Sequence, residues 1–157
     1  MGAIYFIDTS EWINLSRHYP NEVFPSLWEN IESLVSERRI LSPKEVLDEI
    51  EYGHGELVEW CRAHREMFHN TDKLIKQVQE ILKEHPTLVN PNATRESADP
   101  YIIALAASYR NNMSGQSPII VTDENINKRS RIPYVARANG VQTCKLVEMA
   151  QKEAWKF

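Results

Sequence analysis

The sequence predicts an α/β protein of three layers, α/β/α, built on a short, mostly parallel sheet. Three observations predict it. Apolar runs of strand length, Ile4–Ile7 and Ile119–Thr122, are separated by stretches of helical period. One of those stretches places Phe24, Leu27, Trp28, Ile31, Leu34 and Val35 on a single broad apolar face. Strands divided by helices throughout need crossover connections, hence a parallel sheet covered on both sides. At 157 residues the chain reads as one domain, residues 1–157, long enough to bury its own core.

Taken in order, Ala3-Ile4-Tyr5-Phe6-Ile7 is a buried first strand that ends in Asp8-Thr9-Ser10. A short helix over Glu11–Ser16 is broken by Arg17-His18-Tyr19-Pro20-Asn21. The next helix begins at Glu22 and closes with Arg38-Arg39, cations where the helix dipole favours them. Ile40-Leu41 makes a very short second strand. Ser42-Pro43-Lys44-Glu45 starts another helix, with Ser42 at the N-cap, Pro43 at the first position and Glu45 completing a capping box. It runs through Val46–Ile50 towards Gly53-His54-Gly55. Two further helices form a helical hairpin over about 56–85. Pro86 to Ala98 is a polar, proline-interrupted loop of the kind that often carries function in a compact domain. Asp99-Pro100 opens a central helix, Tyr101 to about Arg110, that is apolar nearly all round. Strand Pro118–Thr122 leads to Asp123, and a helix from Pro133 is closed by Gly140. Strand Val141–Cys144 and helix Leu146–Trp155 finish the domain.

The composition, 42% hydrophobic and 25% charged, is that of an ordinary globular protein. No apolar run reaches the length of a membrane span, and the start lacks the pattern of a signal peptide. A cytoplasmic protein without a membrane partner is expected. Cys61 and Cys144, each inside an apolar pattern, read as buried free thiols. A net charge of −4 works against general polyanion binding, so a nucleic-acid partner requires a local basic patch or bound divalent cations.

Carboxylates carry the functional signal. In a parallel sheet all carboxyl ends share the edge where open α/β folds keep their ligands, so Asp8 and Asp123 converge if their strands are neighbours. Asp99, at the start of a buried helix, joins them, although helix capping alone would account for an Asp there. Glu45 and Glu49 share a helix face and compete for a fourth place. Glu45 already has the capping role, which favours Glu49. Crowded acids repel and raise one another's pKa unless a cation compensates. Oxygen donors without matching His or Cys favour Mg²⁺ or Mn²⁺.

Phe6-Ile7-Asp8-Thr9-Ser10, Glu49 after the second strand, Ser97-Ala98-Asp99-Pro100-Tyr101-Ile102-Ile103-Ala104 and Val121-Thr122-Asp123 together resemble the PIN-domain ribonucleases. The VapC-like toxins and their uncharacterised relatives are the nearest likeness, which extends from Ile4 to about Leu146. The resemblance implies a Mg²⁺- or Mn²⁺-dependent endoribonuclease that hydrolyses RNA phosphodiester bonds. Asp8, Glu49, Asp99 and Asp123 would be both its catalytic residues and its metal ligands. It also implies a homodimer silenced by a protein antitoxin, as the toxin of a type II toxin–antitoxin pair. The chain departs from the family in two places. The Ser42-to-Glu49 interval is a residue longer, which keeps Glu45 in play, and the helical pair from Glu56 to His85 exceeds that of the smallest toxins.

Around the acids, Thr9 and Ser10 could orient a carboxylate or a water. Lys128, Arg129 and Arg131 form a basic loop suited to phosphates flanking a scissile bond. Trp12, Trp28 and Trp60 fall in helical apolar stripes and are expected in packing. Cys61, His64 and His69 match no common zinc spacing. The alternative function is a non-catalytic PIN-like module whose acidic pocket binds a protein or nucleic acid without cutting it.

Overall fold

In the first half of the chain the elements are β1 Ala3–Ile7, α1 Thr9–His18, α2 Pro25–Ser36, β2 Ser42–Pro43, α3 Lys44–Glu51 and α4 Gly55–Ala63. The second half adds β3 Phe68–His69, α5 Ile75–Glu84, α6 Asp99–Ala107, β4 Ser117–Val121, α7 Ile132–Ala138, β5 Gln142–Cys144 and α8 Leu146–Lys152. The computed structural model describes residues 2–53, 55–124, 128 and 130–157.

β1 and β4 are parallel neighbours, Ala3 opposite Ser117 and Ile7 opposite Val121, and β5 pairs in parallel with the far side of β4. β2 and β3 form a separate parallel pair. The two sheets meet where Ile40 bridges Tyr5: Tyr5 donates to the Arg39 carbonyl at 2.7 Å, and Leu41 donates to the Tyr5 carbonyl at 3.0 Å. All pairings are parallel because every connection carries helix, which returns the chain to the same edge. The fold is three-layered, α/β/α, with a small, mostly parallel sheet, and resembles PIN-type topology.

Burial follows the apolar pattern. Tyr5, Phe6 and Ile7 are completely buried, as befits the middle of a sheet covered on both faces. Every residue of α6 from Pro100 to Ala107 is buried, so its uniformly apolar sequence places it against β4, β2, α5 and α7. α1, α3 and α4 pack together as a second group. Between them Trp60 lies 5.3 Å from Trp12 and 5.1 Å from Trp28, so these three indoles pack with one another in the fold. Cys61 and Cys144 are buried and free.

Several boundaries differ from the sequence reading, each for a local reason. α1 begins at once after β1, because the Asp8 carbonyl accepts from Glu11 and Trp12, both at 3.0 Å. α2 starts at Pro25, whose fixed φ suits the first helical turn. The second strand falls at Ser42–Pro43, so Pro43 takes the N-cap place of α3 and the expected Ser42 capping box does not form. The hairpin expected over 56–85 is interrupted by a 3₁₀ turn at Arg65–Met67, by β3 and by a second turn at Asp72–Leu74. α4 consequently packs on α3 and α1, whereas α5 packs on α6.

The end of the chain is fastened to β1. Arg39 makes a two-pronged contact with Glu153, at 2.9 and 2.6 Å, and donates from Nε to the Ala3 carbonyl at 3.0 Å. Tyr5 donates to the same carboxylate at 2.6 Å, and its phenol is driven upward in pKa first by burial and then by Glu153. Glu153→Gln leaves a mostly buried guanidinium with only the exposed Glu37 carboxylate, 3.6 Å away, as counter-charge. It is expected to destabilise the protein by about 2 kcal/mol, measured as a lower urea midpoint at unchanged slope.

Candidate functional site

Asp8 leaves β1 at the carboxyl edge of the sheet and is 4% exposed. Its backbone fixes it there, with its N–H donating to the Val121 carbonyl at 3.0 Å while its own carbonyl starts α1. The side chain makes no capping bond. Instead Oδ2 accepts from Ser10 at 2.7 Å and from Thr122 at 3.1 Å. Burial raises the Asp8 pKa to about 6, opposed by those two hydroxyls and assisted by the charges of Glu124 and Glu49.

Asp99 is the first residue of α6 and not its cap. Burial, then the charges of Asp8, Glu124 and Glu49, raise its pKa to about 8, with Arg131 pulling the other way. Glu49, on α3, is held between Thr9, which donates to Oε1 at 2.6 Å, and the Ala98 N–H, which donates to Oε2 at 3.4 Å. Glu45 sits deeper, 7% exposed, and takes the Thr71 hydroxyl at 2.9 and 3.0 Å. Its occupation is thus a bond to the turn before α5 rather than a capping box.

These residues open into one cavity of about 780 Å³. Asp8, Glu49, Asp99 and Glu124 stand at the sheet edge, Glu45 and Asp48 on α3, and Glu96 on the wall made by the loop after α5. That loop, polar and proline-interrupted in sequence, also supplies Leu88, Asn90, Thr94, Arg95 and Ser97. Tyr101 donates to Glu96, which anchors the loop to α6. Arg95 is the sole cation among the described lining residues.

Three of the four expected acids, Asp8, Glu49 and Asp99, share this cavity; Asp123 does not line it. Asp123 faces Glu11, a residue 2% exposed whose pKa burial and Asp123 raise to about 8. The carboxyl that joins the cavity from the end of β4 is Glu124, one position further on. Its Oε1 accepts from the Ile132 N–H at 3.0 Å, and its Oε2 stands 3.5 Å from Arg131. Arg131 is therefore engaged with an acid at the cavity, Lys128 is exposed, and Arg129 lies outside the described residues. Sequence reading missed Glu124 and Glu11. The available signal was faint: an acid directly after Asp123, and one three residues after Asp8, a spacing that shares a helix face.

The expected Mg²⁺ or Mn²⁺ cofactor is corrected by this geometry. Among the described residues, no group of three or more His, Cys, Asp or Glu side chains is placed to hold a metal ion. The donor atoms are turned to other uses. Asp8 and Glu49 accept from hydroxyls and a backbone N–H, Glu45 from Thr71, and Asp123 turns to Glu11. The mutual repulsion that suggested a cation is answered by proton retention and hydroxyl donors.

Raised carboxyl pKa values have a definite consequence for stability. Between about pH 4 and the folded value of about 8, native Asp99 keeps a proton that the unfolded chain has lost, so stability falls as pH rises through that window. Asp99→Asn removes this titration. The variant is expected to flatten the decline and to be more stable than the parent near pH 8 by on the order of 1–2 kcal/mol. Urea unfolding across that pH range checks it, and an unchanged slope would place the titration elsewhere.

Among described residues, no helix is long and apolar enough to cross a membrane. Comparison with curated proteins and with solved structures finds no match. One family model, described as a domain of unknown function, DUF4411, matches residues 5–157. That span begins within β1 and takes in every acid named in the cavity and the closing Glu153, and the chain belongs to the DUF4411 family.

Proposed function

We propose that this protein is a PIN-like binding module whose acidic cavity receives a cationic segment of a partner protein. The supporting observation is the charge of the cavity wall, on which, among the described residues, seven are acids and one is a base. Carboxyls held at about 6 and about 8 mark a site short of positive charge, since a cation brought beside them favours their ionised form. A guanidinium group suits such a wall, being planar, weakly hydrated and able to bridge two carboxylate oxygens. A phosphodiester backbone would meet the same oxygens as repulsion, and Arg131 is already drawn to Glu124.

A second reading is hydrolysis of RNA phosphodiester bonds by a toxin, with the cationic segment belonging to its antitoxin and the toxin itself a homodimer. The specific observation in its favour is that Asp8, Glu49 and Asp99 share one cavity at the carboxyl edge, the arrangement that the PIN resemblance implies.

Calorimetric titration with an arginine-rich peptide tests the first reading when run near pH 7 in two buffers of different ionisation enthalpy. Binding is expected to release protons as Asp99 ionises, and to weaken at least about tenfold in the double variant Asp8→Asn, Asp99→Asn. A peptide that does not bind, or binds without proton release, ends the proposal. Incubation with single-stranded RNA decides the second reading, for which cleavage must occur and must be lost in Asp8→Asn.

A further inference from the structure

Arg95 is an anomaly within the acidic cavity. It lines the same wall as seven acids, yet it forms no ion pair and no hydrogen bond with any described residue. Its guanidinium carbon, Cζ, lies instead over the Tyr52 ring, 3.3 Å from the centroid, and Tyr52 is itself 71% exposed at the end of α3. Stacking fixes the plane of a guanidinium while leaving its in-plane N–H donors available. The charge is thus held at the rim over the ring, with no donor spent on a described residue.

A lone cation on this wall repels the cationic group that the cavity is proposed to take. The same cation becomes an attraction if the incoming segment also carries an anion next to its basic group. Charge-assisted bonds from a pre-oriented guanidinium to a carboxylate are among the stronger polar contacts available. We infer that Arg95, held on Tyr52, is a specificity residue that selects a dipolar peptide segment, a basic side chain with a carboxylate beside it. This rests on the reading of the cavity as a site for a cationic segment and adds the anionic half of the ligand.

The test uses the whole protein and four acetylated peptides. The first carries one arginine and an amidated end. The second adds a glutamate beside the arginine, the third has glutamine in that place, and the fourth ends at the arginine with a free carboxylate. Calorimetry is expected to show the glutamate peptide binding about tenfold more tightly than its glutamine twin. Arg95→Gln should abolish that difference. Tyr52→Leu, which keeps the charge and removes the stack, should narrow the difference to about threefold. If the free-carboxylate peptide matches the glutamate peptide, the anion selected is a chain end; if it matches the glutamine twin, the anion is a side chain. Equal affinities for the glutamate and glutamine peptides overturn the inference and leave the cationic-segment reading standing, as does a difference that survives Arg95→Gln. Failure of every peptide to bind overturns both.

Discussion

The constraint on which the rest of the structure depends is the desolvation of Asp8. β1, paired with β4 on one side and bridged by Ile40 on the other, gives way directly to a carboxylate at 4% exposure. A buried carboxylate without a counter-charge is costly unless it holds its proton or finds donors. The surroundings supply both. Ser10 and Thr122 donate to it from the first turn of α1 and the end of β4, and its pKa is raised to about 6. The parallel alignment of β1 with β4 is what brings Thr122 within reach, so sheet topology and site chemistry are settled by the same register.

From that point the cavity assembles outward. Thr9 holds Glu49, Glu49 accepts the backbone N–H of Ala98, and Ala98 precedes the acid that opens α6. Each contact links one element to the next, from α1 to α3 to the start of α6. The loop after α5 closes the remaining side with its own polar groups, fastened through Glu96 to Tyr101. Hydroxyl donors reach Asp8 and Glu49, while burial raises Asp99 in pKa.

Much of this was legible in the residues. The buried strand ending at Asp8, the uniformly apolar helix after Asp99 and the polar, proline-interrupted loop before that helix all follow from periodicity and composition. The short strands were harder, because two residues such as Ser42–Pro43 leave no alternating pattern to read. The turn-and-strand interruption between α4 and α5 was hidden for the same reason. A capping box was the natural reading of Ser42 to Glu45, but the strand absorbs Ser42 and Pro43, and Glu45 turns to Thr71, which lies 26 positions away in sequence. No local rule announces such a partner.

Asp123 and Glu124 show most clearly where sequence falls short. Successive side chains leaving a strand point to opposite sides, so of two neighbouring acids only one can face a given site. Which one does so depends on how the backbone turns after Val121, and that turn is set by tertiary contacts: Ile132 donates to Glu124, and Glu11 meets Asp123. The fold thereby divides its acids into two sets. Glu11, buried with one carboxyl oxygen unpartnered, meets the exposed Asp123, and burial followed by that neighbour raises its pKa. The other set opens to the cavity, where burial and neighbouring charges raise Asp8 and Asp99 in pKa, and the proposed binding of a cationic segment rests on that set.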